Sequence, residues 1–492
     1  MVLHPTKRNA KAQSSSKRRK KADAEERKRK ELRRFLAGKR KSLPRGLQQL
    51  NLHAAGADLG SEKHVVAVGP GVDPDGNDVR EFSACSDELR RAVVWLKACG
   101  VTTIAMESTG VYWIPFYDLL EQAGFDVYLV DARQAKNLPG RKTDLEDAQW
   151  IQQLHTYGLL SRAFRADLEA RNVRDLMRQR DRLVRERGRQ VQQIQKALDQ
   201  MNIKLHKFIS DIQGLTGVAI VRSIVAGERD AAKLAALRHP NCRKSEAEIA
   251  RSLDGLWNEA YLFELAQALE RYDLFGKQIL QLDAEWARQI DGVALVAAEE
   301  VPEDCKTEKF QHNTPRLFDP RIEAYRLCGV DLAMIPGIDG YSALKLLSEL
   351  GFTVEAFPTP GRFASWLALC PGNKISGGKV LSSKSKRCQN RVAGILRMCA
   401  STLWHCDSWL GAFFRAMKAR MGPAKAITAT AHRLAKLVWI MLTRKCRYEE
   451  AGAEVYERNH QQRRKAWILR EAAELGFHLV PTRSGADDCT AE

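Results

Sequence analysis

No run of 18 or more apolar residues occurs in the 492-residue chain, which excludes a helical membrane span. The N-terminus is basic but lacks the apolar stretch of a secretory signal, so a cytoplasmic protein is expected. The eleven cysteines include no CxxC pair. His405 and Cys406 lie near Cys399, but no second ligand-like cluster at zinc spacing accompanies them, so reduced cysteines filling cores are expected. No internal repeat is evident, which argues against a solenoid. Acidic residues are scarce at the start. Residues 1–50 hold 18 Lys/Arg and 4 Asp/Glu, a charge of +14 out of +19 for the whole chain. The runs KRRKK and RKRKELRR, with SSS nearby, read as a disordered polycationic arm. Such an arm condenses on phosphate backbones and releases counterions, or else remains a solvated tail.

From residue 51 the texture changes. HAAGADLGSEKHVVAVGP reads as a strand, a tight glycine turn and a second strand, and REFSA as a third. SDELRRAVVWLKACG is an amphipathic helix expected to start at a Ser cap and end at Gly. VTTIAMESTG and FDVYLVDARQ are strands around the helix VYWIPFYDLLEQAG, and LEDAQWIQQLHTYG is helical. Strands alternating with helices imply a mixed α/β sheet. Residues 166–206 form a long charged helix with a heptad-like seam at Val184, Arg187, Val191, Ile194, Leu198 and Met201, weakened at Gly188. Residues 245–290 repeat the texture with Leu265, Leu269, Tyr272, Ile279 and Leu282. The two segments pair as an antiparallel hairpin, dimerise, or are ordinary core helices; the pattern leaves this open. Residues 292–325 read as an irregular linker, 326–450 as a second globular unit, and the last forty as a charged helix and tail.

The stretch GRKTDLEDAQW places Asp144 and Asp147 three residues apart, on one helix face. Thr143 with Glu146 reads as a capping box, following Lys142. Acids at a helix start are favoured by the dipole alone. Two further acids alter the reading. Asp58 lies in the apolar strand context AAGADLG, and Glu107 ends the strand VTTIAME. A carboxylate in an apolar strand is costly unless it is paired, solvated at a strand end, or bound to metal. If the helix crosses the sheet, all four acids converge, and four hard oxygen ligands suit Mg²⁺ or Mn²⁺. Two such ions clamp the attacking and leaving oxygens of a phosphodiester.

In the second unit PGNKISGGKVLSSKSKR combines hydroxyls, glycines and lysines. Glycines let backbone approach a phosphate. Ser376 is a candidate nucleophile, with Ser382, Ser383 and Ser385 as rivals, although no activating base lies nearby in sequence. The bland alternative is a loop that only touches phosphates. The helix start in MIPGIDGYSALKLLSEL is either a phosphate-binding N-terminus or a packing unit, and Arg391 and Arg397 are placed to grip a backbone.

The segments GADLG, AMESTGVYW and KTDLEDA together resemble the RNase H/RuvC-like domain of the DEDD transposases of bacterial insertion sequences. IPGIDGYSALKLLSELG, FASWLALCPGNKISGGK and NRVAGILRMCA resemble their C-terminal transposase domain. The pattern is that of the insertion-sequence-110 type, the bridge-RNA-guided serine recombinases, over roughly 51–205 and 326–450. The resemblance implies an α/β RuvC-like mixed sheet, then a helical coiled-coil region and a mainly α-helical transposase domain. The implied division is a basic arm (1–50), a RuvC-like DEDD domain (51–165), a helical insert and linker (166–325), the transposase domain (326–450) and a charged tail (451–492). The resemblance also implies that Asp58, Glu107, Asp144 and Asp147 form a Mg²⁺- or Mn²⁺-binding tetrad and that Ser376 is the covalent nucleophile. It further implies target and donor DNA as substrates, a structured guide RNA, and a homo-oligomer up to a tetramer whose subunits share composite centres. The setting it implies is the bacterial cytoplasm, at the nucleoid. The arm and the helical segment around 210–325 are longer than the family core. Two other readings of the same residues are a RuvC-like nuclease or junction resolvase using the acids alone, and a non-catalytic nucleic-acid-binding protein.

Overall fold

The computed structural model describes residues 47–108, 110–131, 144–293, 301–302, 305, 313–388 and 390–479, with Asp144 and Leu145 described by backbone alone. Residues 1–46 of the expected basic arm, and Lys142 and Thr143 of the expected capping box, lie outside the described residues. The chain divides after Arg165 into two compact units.

The first unit is built on a five-stranded sheet: β1 (Ala54–Leu59), β2 (Lys63–Ala67), β3 (Val79–Ser83), β4 (Thr103–Glu107) and β5 (Asp126–Val130). The order is β3-β2-β1-β4-β5. β1, β2 and β3 are antiparallel neighbours, whereas β4 and β5 run parallel to β1. The β1–β2 turn is closed by Gly60 N donating to Lys63 O at 3.0 Å. Parallel strands require crossovers, which α1 (Ser86–Ala98) and α2 (Trp113–Gln122) supply. α1 begins at Ser86, its expected cap, and so one residue early: Cys85 holds the cap position, and Asp87 and Glu88 in the first turn favour the positive dipole end. Both helices stop at glycines, Gly100 and Gly124, whose φ values of 66° and 85° only glycine adopts without strain.

The alternation of β1 sorts its residues between two faces. Ala55, Ala57 and Leu59 face α1 and α2, in a core with Leu96, Phe116 and Tyr117. The other face is covered by α3 (Asp144–Thr156), where Ala148 packs with Val65 and Ala67, and Ile151 with Ala105. Burial on both sides explains why β1 and β4 are nearly all apolar. It also makes their acids, Asp58 and Glu107, conspicuous.

The second unit opens with α4 (Leu168–Gln200), which runs unbroken through Gly188. Its partner is α7 (Glu259–Ile290), after α5 (Leu215–Val225) and α6 (Glu246–Leu253). Arg180 bonds Asp283, Arg187 bonds Tyr272 and Lys196 meets Glu264, so the two long helices pair antiparallel within one chain. Val191, Ile194, Leu198 and Met201 of the expected seam are buried with Leu265, Leu269 and Tyr272. The expected irregular linker at 292–325 gives way to α8 (Pro320–Cys328), started by Asp319 accepting from Arg321 N and by Pro at the first turn. Then come α9 (Gly340–Leu350), α10 (Pro360–Trp366), the hairpin β6 (Lys374–Ser376) and β7 (Lys379–Ser382), and α11 (Arg391–Thr402), α12 (Trp409–Met421), α13 (Pro423–Arg444) and α14 (Ala453–Glu474). The helical pair does not stand apart from these helices: Arg178 grips Glu349 through two bonds, of 2.8 and 2.5 Å. No helix among the described residues is long and apolar enough to cross a membrane.

Candidate active site

Gly56, in the middle of β1, decides how close α3 comes to the sheet. A Cβ there would lie 2.2 Å from the Gln152 nitrogen and 2.5 Å from the Ala148 oxygen, so only glycine admits the helix backbone. Polar bonds fix the far end of α3. Gln152 Nε2 donates to Ala54 O at 3.4 Å, and Asn51 Nδ2 donates to His155 O at 2.7 Å. Passing along α3 from Ala148 to Gln152 therefore retraces β1 from Gly56 to Ala54. The helix runs antiparallel to the strand, and its first turn, with Asp144 and Asp147, falls at the end of β1 that carries Asp58.

Asp58 is two residues beyond Gly56 and shares its face. In the parallel ladder Ala57 pairs with Met106. One step further on each strand are Asp58 and Glu107, which thus stand side by side. Glu107 lies on the face of Ala105, which packs against Ile151 of α3. Asp58, Glu107 and Asp147 are all half-buried. Among the described residues no three His, Cys, Asp or Glu side chains form a metal-sized cluster, and the Asp144 side chain is not among them. The donor set fits a hard divalent cation. It is all carboxylate, which suits Mg²⁺ or Mn²⁺ over softer metals.

Sequence reasoning passed over His155. It is buried, its Nε2 lies 2.8 Å from Thr103 Oγ1, and it packs on the Tyr128 ring. The only signal was its position one helical turn past Ile151, on the apolar stripe of α3. Burial pulls its pKa down to about 4. The folded group stays neutral while the unfolded group takes a proton below about 6.5. Stability from this site is therefore complete above pH 6.5 and is lost as pH falls towards 4, with a slope approaching about 1.4 kcal/mol per pH unit. Chemical denaturation from pH 7 to 4.5 should show this slope for the wild type and a shallower one for His155→Gln.

The serine-rich loop of the second unit is a hairpin. Gly377 and Gly378 have φ values of 53° and 76°, the two positive angles of a type I′ turn, which matches the twist of the flanking strands. Ser376 and Lys379 pair across that turn, so hydroxyl and ammonium occupy one face. The hairpin continues to its base through the Pro371–Ser385 bridge and Gly372 N donating to Lys384 O at 3.1 Å. Ser376 is exposed at the tip; Ser382 and Ser385 are half-buried towards the base, and Ser383 is exposed beyond β7. Ile375, Val380 and Leu381 are 58–70% exposed, an unusual display for strands.

The start of α9 is a packing unit. Asp339 caps it by accepting from Ser342 N at 2.7 Å, which occupies an amide that a phosphate needs, and a Cβ on Gly340 would meet the Arg321 backbone at 2.8 Å. Of the two arginines of α11, Arg391 lies 3.8 Å from Glu349 and Arg397 is half-buried.

Residues 55–203 match the family profile of the IS110-type DEDD transposases, and residues 331–415 match that described as the transposase IS116/IS110/IS902 family. The chain belongs to the IS110-type DEDD transposases. It is a DNA transposase, and its five-stranded mixed sheet is RuvC-like. The first matched segment contains Asp58, Glu107, Asp144 and Asp147, and the second contains Ser376. No curated protein matches the chain.

Proposed function

We propose that this transposase cuts and rejoins DNA through a covalent ester between Ser376 and a DNA phosphate, at sites chosen by a guide RNA. The observation that carries this is the ladder that sets Asp58 beside Glu107 beneath the first turn of α3, in a chain that also displays Ser376 at a glycine turn. Asp58, Glu107, Asp144 and Asp147 would hold Mg²⁺ or Mn²⁺, which supplies Lewis-acid stabilisation of charge on the phosphate. The Ser376 oxygen attacks phosphorus, losing its proton. A Ser376–phosphorus bond forms as the bond to one deoxyribose oxygen breaks, and that oxygen leaves protonated. Rejoining reverses the balance: a hydroxyl of the other strand attacks, and the serine recovers its proton. Lys379, opposite Ser376, attracts the phosphate. The all-polar turn keeps the hydroxyl exposed and approachable. Sequence choice falls to RNA pairing with target and donor DNA, with the arm of +14 charge in residues 1–50 holding nucleic acid by its backbone. A homo-oligomer at the bacterial nucleoid completes the reading.

Trapping tests it. Purified transposase with its copurifying RNA and element DNA should give a denaturant-resistant protein–DNA adduct with Mg²⁺. The adduct should vanish in Ser376→Ala, persist in Ser382→Ala, and fail after nuclease removes the RNA. Cleavage undiminished in Ser376→Ala would mean a resolvase acting with the acids alone.

A further inference from the structure

We propose that the cavity between α4 and α7 is a binding site for one phosphate ester of nucleotide size. The proposal does not rest on the serine reaction. The cavity measures about 380 Å³, within the range of about 300–1,000 Å³ typical of small-ligand sites and far too small for a duplex. Its lining contains five cations, Arg180, Arg187, Arg222, Lys277 and Arg316, against two acids, Asp273 and Asp283. Both acids are already engaged. Asp283 accepts from Arg180 Nε at 2.6 Å, and Asp273 accepts from Arg222 at 2.7 Å. Among the described lining residues cations outnumber acids by three, and a concave wall rich in one sign concentrates the opposite charge.

Arg187 is pre-set for an anion. Its guanidinium carbon lies 4.2 Å from the Tyr272 ring centroid, and one terminal nitrogen donates to the Tyr272 hydroxyl at 2.6 Å. Its Nε is buried and has no hydrogen-bond partner among the described residues. An unsatisfied buried donor on a guanidinium is costly, and a phosphate oxygen is the acceptor its planar fork suits. The space beside it exists because position 276 is glycine: a Cβ there would be 3.6 Å from that same Nε, in ordinary contact. Glycine in the interior of a 32-residue helix weakens it, so the opening has a cost that packing does not recover. Val184, Ile279 and Leu280 supply an apolar side to the same cavity, which suits a sugar or base. Of the five cations Arg180 is buried and Arg187 half-buried, while Arg222, Lys277 and Arg316 are exposed at the mouth, where a ligand enters.

Calorimetric titration of the full-length protein tests the site, with a nucleoside 5′-monophosphate, the matching nucleoside, inorganic phosphate and a 5′-phosphorylated trinucleotide as probes. The monophosphate should bind saturably at one site per chain, and the nucleoside should not bind. Lys277→Glu reverses one exposed charge, and Gly276→Leu fills the cavity at a helical position that tolerates a side chain. Each should weaken the monophosphate by about tenfold or more, while thermal melting shows both folded. A trinucleotide more than about tenfold tighter than the monophosphate identifies a strand end as the source, and equal affinities identify a free nucleotide. No saturable binding at millimolar monophosphate, or equal affinity in wild type and both variants, overturns the proposal.

Discussion

Asp58→Asn should lower strand transfer by about 10²–10³-fold or more while leaving the fold intact. The two side chains have the same shape, so α3 keeps its seat on Gly56. What changes is one negative charge beside Glu107. If the acids act together on one cation, Asp58→Asn and Glu107→Gln should each cost nearly the whole effect, and the double variant little more than either. The measurement is the rate of strand transfer against Mg²⁺ concentration, with melting curves for each variant. Full activity in Asp58→Asn would remove the acids from the reaction, and additive losses would mean that they act separately.

The largest stability loss is expected at Arg180→Met. The side chains of Arg180 and Asp283 are 4% and 1% exposed, and their closest atoms are 2.6 Å apart. A second terminal nitrogen of Arg180 donates to the Asn313 carbonyl at 2.9 Å and to the Tyr341 hydroxyl at 2.7 Å. One guanidinium therefore ties α4 to α7 and to α9. The asparagine and tyrosine bonds matter because they satisfy donors that Asp283 does not reach. Removing the cation strands a buried carboxylate, which costs about 3–5 kcal/mol. Removing both charges in Arg180→Met/Asp283→Leu should recover much of that loss, because two apolar side chains need no partners. Urea unfolding of the three variants measures this. A double variant as unstable as the single one would show that the bonds to Asn313 and Tyr341, rather than the stranded charge, carry the energy.

The sheet and its helices were legible in sequence because local signals repeat along it: β-branched runs, glycines after helices, and acids at helix starts. Asp58 and Glu107 stood out for the same reason, as charges in apolar strands. Ser376 was harder to separate from its rivals. PGNKISGGKVLSSKSKR reads as a loop, and only a turn with both glycines at positive φ makes it a hairpin with Ser376 at the tip. The linker reading of 292–325 missed α8, whose start depends on Asp319 and Pro320, a cap and first turn set within otherwise irregular sequence. The helix start near Asp339 read either as a phosphate site, because free amides at a helix N-terminus bind phosphate, or as a packing unit. Here Gly340 is there to let Arg321 pack against it.

By itself the sequence determined the order of elements and the +14 charge of the first fifty residues, and it singled out four acids and one serine as candidates. These are properties of neighbours along the chain. Tertiary structure alone decided that α3 lies antiparallel to β1 at the distance a missing side chain permits. It alone put Asp58 level with Glu107, paired α4 with α7 inside one chain, and lined a cavity with cations from four separate segments. Those facts depend on which surfaces meet, and contacts between residues a hundred positions apart leave no periodic trace in the sequence.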